Sequence, residues 1–389
     1  MMSFDNTEIA FKDKSSKELK KTLWLFRLVG NPGLVKTGSY ALKAALFLKL
    51  PVRWAIKPTV FDHFCGGETI DECDETISKL GKSGIQTILD YSAEGKESEE
   101  DFEYTKNQIL ATIEKAKNNP HIPYAVFKPS GLASVALLEK AQNNEELSEK
   151  EQQEFDRIKQ RVETICAKAK ETGVPVMVDA EESWIQQIVD EMVEEMKFKY
   201  NKEKPLIFGT LQMYRHDRLE YLKDFVKRAR EKGIFTAFKL VRGAYMEKER
   251  ARAKKLGLPS PIYPDKPATD QGFDEATLFC LENIRDVAVC VGTHNENSCA
   301  LAAETMKKSD IRADHPHVSF AQLLGMSDHI SYNLAASGFN VCKYVPYGPV
   351  KTVVPYLIRR AEENTSVAGQ TSRELFLLKK EAVRRKVEQ

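Results

Sequence analysis

The chain has 389 residues, with 58 Lys and Arg against 57 Asp and Glu. That balance gives no net field to attract nucleic acid, and no long one-sign tail is present, so nucleic acid is excluded as an expected partner. Seven scattered cysteines without a C-x-x-C pair point to reduced thiols, with neither a disulfide framework nor a zinc site.

The opening residues, Met1 to Glu8, lack a basic start followed by an apolar core, and their acids argue against an organelle transit peptide within this chain, leaving open one already removed. Residues 1–60 read as helical, broken at Gly30-Asn31-Pro32-Gly33. The apolar stretch 40–52 is too short to span a bilayer, contains Lys43 and Lys49, and reads as a buried or interfacial helix.

From about residue 85, short β-rich runs alternate with longer helical patterns, as parallel strands joined by crossover helices require. The runs are 85–91, 123–128, 174–179, 206–212, 235–241, 287–292, 317–322 and 340–345. Between them, 184–200, 216–231 and 297–308 carry apolar residues at three- and four-residue spacing. Eight such units predict an α/β fold: a (βα)8 barrel of TIM type over 61–389, with a helical extension at 1–60 and a charged helical insertion at 137–171 after strand two. The rival, an open doubly wound sheet, normally shows a Gly-rich turn after its first strand, and no G-x-G-x-x-G occurs.

In such a barrel the chemistry sits at the C-terminal strand ends, so polar residues closing an apolar run are candidates. Lys128 closes the second run, Asp179 the third and Gln212 the fourth. The fifth closes with Lys239-Leu240-Val241-Arg242-Gly243-Ala244-Tyr245, and the sixth with Thr293-His294-Asn295. One polar closer is ordinarily a cap or a solvated charge, whereas five together suggest convergence on a site. After the last run, Lys343-Tyr344-Val345-Pro346-Tyr347-Gly348-Pro349 leads to Arg359-Arg360 on a helix. Paired arginines are commonly surface charge, but a guanidinium fork also matches a carboxylate bidentately and fits a small anionic substrate. Asp314, His315 and His317 enter a strand at its N-terminal side, away from that face, so no metal site is expected there.

Taken together, KLVRGAY, VDAEE, THN, QLLGM and KYVPYGPV followed by YLIRRAEEN closely resemble the flavin-dependent proline dehydrogenases, in the same order from about Phe61 to the end of the chain. The phrasing is nearer the monofunctional, mitochondrial-type branch than the long bifunctional proteins. The resemblance implies FAD as cofactor, L-proline as substrate, Δ1-pyrroline-5-carboxylate as product and a membrane quinone as electron acceptor. It assigns Arg359 and Arg360 to the substrate carboxylate with Lys128 as a third cation, and Glu363, on the same helix face, as their support. Tyr344 and Leu323 match residues packing on the proline ring, and Asp179 one ordering the polar groups around Lys128 and Tyr245. Positions matching flavin contacts are Gln212, Lys239, Val241, Arg242, Gly243, Ala244, Thr269, Thr293, His294 and Asn295. Lys239 departs from the bifunctional branch, which has arginine there. Glu94 matches an acidic gate partner, with Asp90 the competing choice.

The implied location is cytoplasmic and peripheral at the inner membrane, the mitochondrial inner membrane for a eukaryotic chain whose transit peptide has been removed. Stretch 40–52 and the basic residues Lys379, Lys380, Arg384, Arg385 and Lys386 are the candidates for membrane contact. Two other readings stand beside this one. Lys128 or Lys239 could serve as a Schiff-base lysine of aldolase type, which leaves the arginine pair and Tyr344 without roles. A non-catalytic barrel that binds proline or a partner is the other.

Overall fold

The computed structural model describes residues 2–48, 50–92, 97–366 and 370–387. Eight parallel strands, ordered β1 to β8 in a closed barrel, confirm the expected fold. They are β1 Ile85–Tyr91, β2 Tyr124–Phe127, β3 Val176–Val178, β4 Ile207–Gln212, β5 Thr236–Val241, β6 Val287–Gly292, β7 Val318–Leu323 and β8 Val341–Tyr347. By internal contacts the chain divides into two compact units, Lys96–Ala321 and Met2–Gly95 with Gln322–Gln389.

In the first unit, β2 to β7 pair in sequence, with Ala125 opposite Val176, Val176 opposite Ile207, Gly209 opposite Phe238, Thr236 opposite Val287 and Val289 opposite Val318. Every residue of β2, β3 and β4 is buried, which is why these strands read as unbroken apolar runs without alternation. The expected insertion after β2 is two helices, Val135–Gln142 and Glu149–Thr172. The second starts on a reciprocal cap between Ser148 and Glu151 and stops at Gly173, whose φ of 73° suits glycine. Its one buried face carries Phe155, Ile158, Val162, Ile165 and Ala169 at helical spacing.

In the second unit, β1 and β8 pair in parallel from Ile85 opposite Val341 to Tyr91 opposite Tyr347. The helix Ser16–Val29, capped by Ser15 and Glu18, buries Leu19, Leu23 and Phe26 with Phe61, Phe64, Val353, Tyr356, Leu357, Leu377 and Leu378. The helices that open the chain therefore share a core with those that follow β8. The next helix, Pro32–Phe47, behaves differently: none of its described residues is fully buried, and Phe47 is 87% exposed. Of the two readings for 40–52, the buried one is overturned. Only two of that helix's sixteen residues are charged, yet it lies on the surface.

Candidate active site

Within the first unit, the strand ends carry a cluster of partnered polar groups. Asp179, one residue past β3, accepts a hydrogen bond from Lys239 Nζ, and its other oxygen lies 3.7 Å from Lys128 Nζ. Two ammonium groups from β5 and the end of β2 thus share one carboxylate. Both side chains of the Lys239–Asp179 pair are largely withdrawn from water, so removing either would strand a buried charge at a cost of about 3–5 kcal/mol. An amine that attacks a carbonyl must first give up its proton, and an adjacent carboxylate works against that.

Glu181, two residues further, was in the quoted VDAEE segment but had no assigned role. It is buried, and its oxygens accept from Ser130 N at 2.7 Å and Ser130 Oγ at 2.5 Å, fixing the turn that follows Lys128. Burial pushes its carboxyl up to about 7, against the opposing pull of those two bonds. Its carbonyl accepts from Gln212 Nε2 at 2.5 Å, and Gln212 Oε1 accepts from Ala244 N at 3.3 Å. One short path of bonds therefore ties the ends of β2, β3, β4 and β5.

Arg242 organises the β5–β6 side. Its Nε donates to Asp270 at 2.7 Å and its terminal nitrogens to Thr293 Oγ1 at 2.5 Å and Ser298 Oγ at 2.9 Å, while the guanidinium lies 4.5 Å from the Phe273 ring centroid. Burial pushes the Asp270 carboxyl up, but its bonds to Lys266 and Arg242 hold it below its ordinary value. Thr269, beside it, is buried and spends its hydroxyl on the carbonyl of Asp265 at 3.1 Å. Asn295 caps the helix Glu296–Lys308 by accepting from Asn297 N and Ser298 N. Gly243 has φ +136°, and an added Cβ would stand 2.6 Å from ring carbons of Tyr214, so the chain's own packing demands glycine there. Tyr245 precedes the helix Met246–Leu256, and Val241 ends β5.

The second unit holds the other candidates. Tyr344 is buried on β8, and its carbonyl accepts from Leu324 N at 2.9 Å, fixing the turn after Leu323 to the strand. The neighbouring Lys343, fully buried, donates to Met326 O at 2.5 Å and pairs with Asp328 at 2.9 Å, while Lys14 reaches the other Asp328 oxygen at 3.1 Å. Burial would raise the Asp328 carboxyl, but the two lysines hold it well below the usual carboxylate range. Arg359 and Arg360 lie on the helix Val350–Ser366, and the buried Arg360 guanidinium sits 5.1 Å from the Tyr356 ring centroid. Asp90, buried, accepts from Ser92 Oγ. Glu94 and the side chain of Glu363 lie outside the described residues.

Residues 73–373 match the family described as proline dehydrogenase. The chain belongs to the proline dehydrogenase family. Proline dehydrogenase membership makes it an oxidoreductase acting on proline, in proline catabolism. Among similar proteins, the carbapenem antibiotics biosynthesis protein CarD of Pectobacterium carotovorum subsp. carotovorum is 37% identical over 83% of this chain and 84% of its own. The mitochondrial proline dehydrogenase 1 of Dictyostelium discoideum is 35% identical over 87% of this chain and 67% of its own. In fold, the chain is similar to proline utilization A from Bdellovibrio bacteriovorus inactivated by N-propargylglycine, with a TM-score of 0.73 and 23% identity over 92% of this chain. It spans 38% of that protein's length.

The polar strand-end residues legible in sequence do fall at the strand ends. Missed were roles for Glu181 and Lys343, which lie inside the VDAEE and KYVPYGPV segments, and for Asp270, Asp328 and Lys14, which lie in no motif that sequence reading recognises. Their only signal is a charged residue in or beside a segment to which sequence reading gives it no role. Among the described residues, no group of three or more His, Cys, Asp or Glu could hold a metal ion, and no helix is long and apolar enough to cross a membrane.

Proposed function

We propose that the chain is a monofunctional, FAD-dependent enzyme that oxidises L-proline to Δ1-pyrroline-5-carboxylate and passes the electrons to a membrane quinone, with 61–389 as the catalytic barrel and 1–60 as its helical extension. The observation that carries this reading is the family match across 73–373.

The residues present suit the cofactor. A dinucleotide needs cations, donors and a closely approachable backbone, and Arg242, Lys239, Thr293, His294 and Asn295 supply the first two at the ends of β5 and β6. A Cβ at Gly292 would stand 2.9 Å from Leu240 O, so the strand there is held at minimal bulk. Gln212, Val241, Gly243, Ala244 and Thr269 complete the proposed cofactor contacts. FAD held by these residues would supply the hydride acceptor for C5 of proline.

Arg359 and Arg360 hold the proline carboxylate through paired N–H donors, and Lys128 adds positive charge, which Asp179 keeps in place. Glu363 supports the arginines, and Asp179 and Tyr245 belong to the polar set around Lys128. Tyr344 and Leu323 pack on the ring and exclude water, and the Tyr344 ring crowds any 4-hydroxyl, favouring proline over hydroxyproline. As C5 loses its hydride the ring nitrogen loses its proton, and a C=N bond forms.

The product decides the reading. Incubated with L-proline and a soluble quinone, the enzyme should give a product lighter than proline by one molecule of hydrogen, with equivalent quinone reduced. Unchanged proline in the presence of added FAD would sink the proposal, whereas a borohydride-trapped lysine adduct would favour Schiff-base chemistry. The shared Asp179 carboxylate speaks against that second reading.

A further inference from the structure

The turn 323–327, which leads into the helix Asp328–Ala336, is held at its main chain from three sides, all within the second unit. From β8, Lys343 Nζ donates to Leu323 O at 3.4 Å and to Met326 O at 2.5 Å and pairs with Asp328 at 2.9 Å, so its three N–H groups meet three acceptors. From the helices ahead of β1, His63 Nε2 lies 2.9 Å from Gly325 O. A carbonyl only accepts, so that ring nitrogen carries the proton, and burial pulls the imidazole down to about 4 and keeps it neutral. Phe26 and Phe64 meet the ring edge to face, with centroids 5.7 and 4.6 Å away, and a Cβ at Gly325 would stand 2.8 Å from its Cδ2. From the helix Gln370–Arg384, the buried Glu374 accepts from Ser327 N at 3.1 Å, where the φ of 52° is one that a residue other than glycine rarely holds.

We infer that Lys343 and His63 are positioning residues for proline: by holding the carbonyls of Leu323, Gly325 and Met326 they fix the turn that aims Leu323 at the substrate ring. Lys343 and Tyr344 are neighbours on β8 and point to opposite faces of the strand, so the anchor made by one sets the main chain from which the other projects. Stability alone does not call for a buried ammonium, because apolar residues of similar volume serve as well or better. What the ammonium adds is three directed bonds to one turn. Lys14 holds the second Asp328 oxygen at 3.1 Å and, with His63, carries the support of the site back to residues ahead of β1. The inference rests on the reading of Leu323 and Tyr344 as ring contacts, and it adds the residues that aim them.

Calorimetric binding of cyclopentanecarboxylate to the FAD-loaded whole chain tests it, beside steady-state kinetics with proline. That anion keeps a five-membered ring and the carboxylate but lacks the nitrogen, so it reads ring packing without turnover. In Lys343→Met, Kd for the anion and KM for proline should both rise about tenfold with kcat within about threefold of wild type, because packing on the ring is common to ground and transition states. In a Leu323→Ala background the same substitution should move Kd by less than about twofold, since the residue through which it acts is gone. His63→Phe keeps a ring between Phe26 and Phe64 but loses the donor, and should raise Kd about threefold; His63→Gln keeps a donor and should restore it. Additive effects of Lys343→Met and Leu323→Ala overturn the inference. Should Lys343→Met fail to fold, an unchanged Kd in His63→Phe overturns it instead. Binding of the anion by a wild type that leaves proline unoxidised would refute the enzymatic reading, while the comparison of Kd values would still decide the positioning.

Discussion

Lys239 and Lys197 are both buried in the unit Lys96–Ala321, and they meet different company. Lys239 hangs from β5 at its C-terminal end and donates to Asp179, which also faces Lys128. Lys197 reaches inward from the helix Ser183–Tyr200, with its Nζ 3.3 Å from the Phe238 ring centroid and 4.6 Å from that of Phe225. Among the described residues its ammonium nitrogen has no hydrogen-bond partner, and a Cβ at Gly209 would stand 3.1 Å from it. Burial pulls Lys197 down to about 7, against the weaker pull of Asp190 and Glu194. Burial alone therefore does not mark a working cation. The carboxylate beside it, and its place at the strand end, separate the lysine suited to a site from the one that fills the wall.

The sharpest way to break this contrast is Asp179→Asn. It removes the shared partner of Lys128 and Lys239, and kcat/KM for proline should fall about a thousandfold while the protein still folds by circular dichroism. Activity within about threefold of wild type would make the two lysines equivalent after all. For the proposed carboxylate contact, Arg360→Lys loses the bidentate fork, and KM for proline should rise roughly thirtyfold with a smaller change in kcat. An unchanged KM would remove Arg360 from the substrate.

Lys197→Met tests the other side. The folded state prefers Lys197 neutral and the unfolded state keeps it protonated up to about 10.5, so wild-type stability should gain from this group as pH rises from 7 towards 10. The variant should lose that gain, be no less stable at pH 7 in urea, and keep its activity. Equal pH dependence in both proteins would contradict the assignment. Glu181→Gln is a smaller effect of opposite sign. Its carboxyl is raised from 4.5 to about 7 in the folded state, so its contribution is fully present below pH 4.5 and lost as pH rises through 7. Replacing it should flatten the stability profile between those values, and an unaltered profile would show that Glu181 does not titrate there. Smallest of all, Tyr344→Ser should narrow the preference for proline over hydroxyproline by about tenfold, read as the ratio of kcat/KM values.

The barrel was legible because parallel strands buried on both faces leave unbroken apolar runs, and each expected run overlaps its strand to within a few residues. The strand-end candidates were legible because Lys128, Asp179, Gln212 and Arg242 interrupt apolarity where a run closes. Pairings across the fold were not. Nothing in the spacing joins Asp179 to Lys239 or Arg242 to Asp270, since the barrel brings together residues sixty and twenty-eight positions apart. The exposure of 40–52 was also illegible: apolar residues imply burial in sequence, but whether a neighbour covers them is a tertiary fact.

The central claim is that proline reduces a flavin held by this chain. An anaerobic visible spectrum of the purified, FAD-loaded protein, taken before and after adding L-proline, tests it most directly. The account predicts yellow flavin bands that bleach with proline and persist with buffer alone. A protein that binds FAD but keeps its colour with proline, or that cannot be loaded with FAD, would contradict it.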